Sequence, residues 1–112
     1  LEAYSGLNEQ FHDDIADLCP SGIVRSELQR VKSLPFASPS AFVFRRRESQ
    51  TMTQSIVIAQ AHHHAMIEAI ERREGARAEA LAREHALIAR RNLEEKALAP
   101  GEGNPALALI VD

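Results

Sequence analysis

The segment Ile56-Val57-Ile58-Ala59-Gln60-Ala61-His62-His63-His64-Ala65-Met66-Ile67-Glu68-Ala69-Ile70 sets Ile56, Ala59, His63, Met66, Ile67 and Ile70 at three- and four-residue steps. That is the spacing of one face of an α-helix. Successive helical residues point about 100° apart, so of the three adjacent histidines only His63 shares the apolar stripe. His62 and His64 flank it and are expected at the surface. The pattern predicts a helix from about Gln54 to Arg73, closed by a turn at Glu74-Gly75.

Downstream, Ala78, Leu81, His85, Ile88 and Leu93 repeat the arrangement and predict a second long helix, from about Ala76 to Leu98. The connection is so short that the two helices are expected to be antiparallel neighbours. Upstream, Tyr4, Leu7, Phe11, Ile15 and Leu18 trace a helix from Leu1 to Leu18, ended by Cys19-Pro20-Ser21-Gly22. Ile23, Leu28, Val31 and Leu34 continue as a shorter helix, with Ser21 as its N-cap and Pro35 as its stop. Helix one carries Glu2, Glu9, Asp13, Asp14 and Asp17, whereas helix two carries Arg25, Arg30 and Lys32, so the two are expected to pair by charge. Between residues 33 and 53 the pattern breaks into a connection with a short apolar patch at Ala41–Phe44 and a basic cluster at Arg45, Arg46 and Arg47. Without interleaved aromatics this cluster reads as a solvated edge or a partner for the acidic helix, not as a DNA-binding patch.

Composition agrees with an all-α, antiparallel helical bundle. The 112 residues are 45% apolar and 26% charged with a net charge of −3, which excludes a disordered tail or a protein that coats nucleic acid. Four Phe, one Tyr and no Trp leave the core to aliphatic side chains. The single cysteine, Cys19, makes no internal disulfide, and no apolar run is long enough to span a bilayer. A cytoplasmic location and no membrane partner are expected. The chain opens on Leu1, already in helical pattern, so it is expected to be a piece of a longer protein.

His12, His63 and His85 thus stand on the inward faces of three different helices, and Asn8 lies one turn before His12 on the same face. Three imidazole nitrogens and an amide oxygen suit a borderline divalent ion in a bundle core, with Zn²⁺ or Ni²⁺ foremost and Mn²⁺ or Fe²⁺ next. Inward histidines can equally be hydrogen-bonded core residues without metal. Glu9-x-x-His12 is half of a di-iron carboxylate motif, but a second Glu-x-x-His is absent. There is no nucleophile elbow, no glycine-rich phosphate loop and no Cys-x-x-Cys.

Leu7-Asn8-Glu9-Gln10-Phe11-His12, followed by His63-His64-Ala65-Met66-Ile67-Glu68-Ala69-Ile70 and Arg83-Glu84-His85, resembles the FCD domain, the effector-binding half of a large subfamily of GntR-type bacterial transcription regulators. The family pattern is an Asp or Asn four residues before the His of a Phe-His pair, then a His opening a His-x-x-Ile-x-x-Ala-Ile helix, then a His 22 positions later. Asn8, His12, His63 and His85 occupy those places. The resemblance spans residues 1 to about 98 and leaves the 99–112 tail unassigned.

The resemblance implies a divalent metal held by His12, His63 and His85 with Asn8 or its neighbourhood completing the shell, a small carboxylate effector, homodimerisation, and no catalysis. It also implies that operator DNA is met only through a winged helix-turn-helix domain that lies outside these residues. The bundle is expected to complete its wall by dimerising or by domain exchange. The residues that would touch the effector are not indicated. A small metal-dependent helical-bundle enzyme and a metal-free structural dimerisation module are the competing functions. The first lacks an obvious general base near the histidines.

Overall fold

The computed structural model describes residues 2–34 and 50–97, and every element among them is an α-helix: α1 Glu2–Asp17, α2 Gly22–Lys32, α3 Gln50–Glu71 and α4 Gly75–Ala97. The chain divides into two compact units, Leu1–Arg46 and Arg47–Asp112, so α1 and α2 form one helical pair and α3 and α4 another. The patch at Ala41–Phe44, the cluster at Arg45, Arg46 and Arg47, and the 99–112 tail lie outside the described residues. No described helix is long and apolar enough to cross a membrane.

In the first unit α1 and α2 have the expected boundaries to within a residue or two. Ser21 has an extended backbone and its hydroxyl accepts from the Val24 N–H at 3.3 Å. It thereby satisfies one of the helix's orphan donors, a cap worth about 1 kcal/mol. The charge pairing expected between the two helices is present: Lys32 makes an ion pair with Asp13 and a second, at 3.9 Å, with Glu9.

The inward face of α1 is rotated from the expected one. Ser5 and Asn8 are its buried residues, whereas Leu7 and Leu18 are 71% and 65% exposed. Tyr4, Phe11, His12 and Ile15 are half-buried. The stripe therefore runs through 4/5, 8, 11/12 and 15, and a polar amide occupies a place that an apolar count would have given to Leu7. No residue of α2 is buried, and Val24, Leu28 and Val31 stay exposed.

In the second unit α3 begins four residues earlier than expected. Nothing in Gln50-Thr51-Met52-Thr53 breaks a helix, and Met52, 3% exposed, extends the stripe one more turn backwards to give the helix a further apolar anchor. The core of this unit is Met52, Ala59, Met66 and Ala69. Ile67 and Ile70, expected inside, are partly exposed, while Ala69 is fully buried. On α4, Ala78, Leu81, His85 and Ile88 are half-buried as the period predicts; the side chain of Leu93 is outside the described set.

The α3–α4 turn is built differently from the glycine stop that the sequence suggests. Gly75 is the first residue of α4, and the left-handed residue is Arg73, with φ 58°. Its N–H bonds to the Ile70 carbonyl at 3.0 Å while the Glu74 N–H reaches back to the Ala69 carbonyl at 2.8 Å. This is the Schellman pair of bonds, which satisfies the last carbonyls of α3. Glu74 then opens α4, its carbonyl accepting from Ala78 at 3.0 Å. Arg77 clamps the corner through Glu74 at 2.9 Å and Glu68 at 3.2 Å.

Candidate metal centre

The second unit brings two candidate ligands together. His63 lies on the buried stripe of α3 and is 4% exposed; His85 lies half-buried on the facing stripe of α4. Antiparallel packing brings them level, with Nε2 to Nε2 at 3.3 Å. The rings meet obliquely, with centroids 4.7 Å apart and 52° between planes.

That separation can be compared with what an ion would require. Two nitrogens at about 2.0–2.1 Å from a tetrahedral zinc stand about 3.3–3.4 Å apart. The observed pair therefore matches one edge of such a shell without rearrangement. As a simple N–H···N hydrogen bond the same distance is at the long end of the usual range.

His63 is oriented from its other side. The Oε1 of Gln60, three residues earlier on α3, is 2.9 Å from His63 Nδ1. A carboxamide oxygen only accepts, so this contact is a hydrogen bond when Nδ1 carries the proton, the tautomer that leaves the Nε2 lone pair toward His85. His62, expected at the surface, is half-buried instead. Its ring meets that of His85 edge-on at 5.9 Å, and its Nδ1 is buried without a hydrogen-bond partner among the described residues. His64 is exposed, as its place on the helix dictates.

The remaining candidates sit in the first unit. Asn8, 3% exposed, and half-buried His12 lie one turn apart on the inward face of α1. The Phe11 ring meets the His12 imidazole edge-on at 5.3 Å and limits its rotation. Burial pushes the His12 pKa below its ordinary value; Glu9 and Asp13 act against that shift and Lys32 adds to it. A lowered value keeps the imidazole neutral near pH 7, the form that donates a lone pair. Burial also raises the pKa of Tyr4.

Donor chemistry fits a divalent metal. His12, His63 and His85 can each offer one ring nitrogen, and neutral imidazole is the commonest nitrogen ligand of zinc and its neighbours. Gln60 was missed in the sequence because an amide on the rim of an apolar stripe looks like ordinary surface. The usable signal was its spacing of three residues before an inward histidine.

The FCD domain matches residues 1–88, a stretch that contains Asn8, His12, His63 and His85. The chain belongs to the FCD domain family. No curated protein and no solved structure matches it. The FCD domain is the C-terminal domain of GntR-family regulators, a regulator-associated domain and not a catalytic one.

Proposed function

We propose that this FCD domain is the effector-sensing part of a GntR-type transcription regulator, and that it holds one divalent metal through His12, His63 and His85 with Asn8 in the fourth place. The observation that carries this reading is the His63–His85 pair, two Nε2 atoms at 3.3 Å, which fits adjacent corners of one coordination shell. Tetrahedral geometry at that spacing favours Zn²⁺; two cis nitrogens of an octahedral Ni²⁺ at about 2.1 Å would stand about 3.0 Å apart.

The metal would supply a fixed positive charge, and widening of its shell from four ligands to five would let it attract and orient an anionic oxygen in a water-poor helical core. A small carboxylate is the effector this suits. Asn8 is neutral where a carboxylate ligand would cancel part of the charge, so more of it is left for the effector. Operator DNA would be bound by a separate domain, in the cytoplasm, and the effector would act by binding DNA-competent and incompetent states with unequal affinity. The apolar side chains left exposed on α2 support homodimerisation through this domain.

Calorimetric titration tests the reading. Zinc-loaded protein binds a set of di- and hydroxycarboxylates with saturation at one per chain, whereas protein stripped with a chelator does not bind them. Equal binding to both forms would remove the metal from effector recognition.

A further inference from the structure

Every polar contact of the metal-centre histidines raises the question of what holds a ring in the one orientation that a ligand needs. We propose that Gln60 is the positioning residue of His63: its side-chain oxygen fixes the Nδ1–H tautomer and so commits Nε2 to the inside of the site. The inference deepens the metal reading above and rests on it for its consequence, though not for its geometry.

Three observations converge. Gln60 Oε1 stands 2.9 Å from His63 Nδ1, and the two residues are one helical turn apart on α3, so the contact needs no tertiary adjustment. His63 is buried whereas Gln60 is exposed, so the amide reaches inward from the rim of the stripe and closes the outer edge of the ring. On its opposite side His63 Nε2 faces His85 Nε2 at 3.3 Å. An imidazole in the other tautomer would place an N–H there, leaving nothing to offer an ion, and would point its Nδ1 lone pair at the Gln60 oxygen, so the amide would have to turn over and donate its NH2 to keep a bond. A partner on the second nitrogen that sets tautomer and ring angle typically changes metal affinity 10–100-fold.

The test combines imidazole ¹⁵N NMR with zinc titration on the wild-type chain and on Gln60→Leu and Gln60→Glu. Gln60 is exposed and both replacements are good helix formers, so folding is conserved and checked by circular dichroism. In the metal-free wild type, His63 is expected with Nδ1 protonated and Nε2 bare. Gln60→Leu is expected to populate the Nε2–H form and to weaken zinc binding about tenfold or more, while Gln60→Glu, which keeps an acceptor oxygen, restores both. A His63 found as the Nε2–H tautomer in the wild type, or a tautomer and zinc affinity indifferent to Gln60→Leu, overturns the proposal. If zinc does not bind even the wild type while the tautomer still follows residue 60, the metal reading fails and the assignment of Gln60 as tautomer-setting residue stands.

Discussion

His63 and His85 face each other through their Nε2 atoms at 3.3 Å, and since Gln60 accepts from Nδ1 of His63, the two rings are not equivalent. With His63 protonated on Nδ1 as proposed, the hydrogen between the facing nitrogens is expected on His85 in metal-free protein. To donate to an ion, His85 must carry its proton on Nδ1 or lose it, whereas His63 is already in the ligating form. Zinc loading is therefore expected to change the ¹⁵N signature of His85 from Nε2-protonated to Nδ1-protonated, with the protonated nitrogen of His63 unchanged. Tautomer changes at both rings, or at His63 alone, would refute this division of roles.

Asn8 provides a second test. Replacing its neutral amide by the carboxylate in Asn8→Asp adds a charge to the metal's surroundings without adding length. Zinc affinity is expected to rise about tenfold in a chelator competition, as added ligand charge strengthens cation sites. Carboxylate effectors are expected to bind more weakly to the same variant, because less of the ion's charge remains for them. Unchanged affinities for both would remove Asn8 from the site.

The turn between α3 and α4 stores a cost that can be recovered. Arg73 is left-handed at φ 58°, a conformation that costs a side-chain-bearing residue about 1–2 kcal/mol relative to glycine. Arg73→Gly is expected to raise unfolding stability by roughly 1 kcal/mol in urea titration, with metal binding unaltered. A loss of stability would mean that the Arg73 side chain makes a contact worth more than the strain.

The exposed apolar side chains of α2 bear on assembly. Leu28 and Val31 are 42% and 40% exposed and three residues apart, on one face. If that face meets a second copy, Leu28→Glu shifts the chain from dimer to monomer in sedimentation equilibrium while its helical content is retained. A dimer unaffected by the change would place the interface elsewhere.

Helix positions and the two histidines that meet were legible from periodicity alone, because a period of 3.6 fixes which side chains share a face. The inward face of α1 was less legible. Apolarity pointed to Leu7, but Ser5 and Asn8 are the buried residues, and hydropathy has no means of recognising a polar group that is buried. The α3–α4 turn misled for a related reason. Gly75 looks like the residue for a left-handed stop, yet the hydrogen bonds of Glu74 and Arg73 to the end of α3 place the left-handed position two residues earlier. Ile67 and Ile70 were expected inside because a large apolar side chain weighs more in such a count than a methyl, yet Ala69 is the residue buried there.

The central claim is a metal in this domain, and the most direct measurement of it is elemental analysis of tag-free protein, repeated on His63→Ala and His85→Ala. The account predicts close to one equivalent of a transition metal, zinc foremost, per wild-type chain and almost none in either variant, with all three proteins equally helical. Wild-type protein that holds no metal after reconstitution with zinc, or variants that retain a full equivalent, would contradict it.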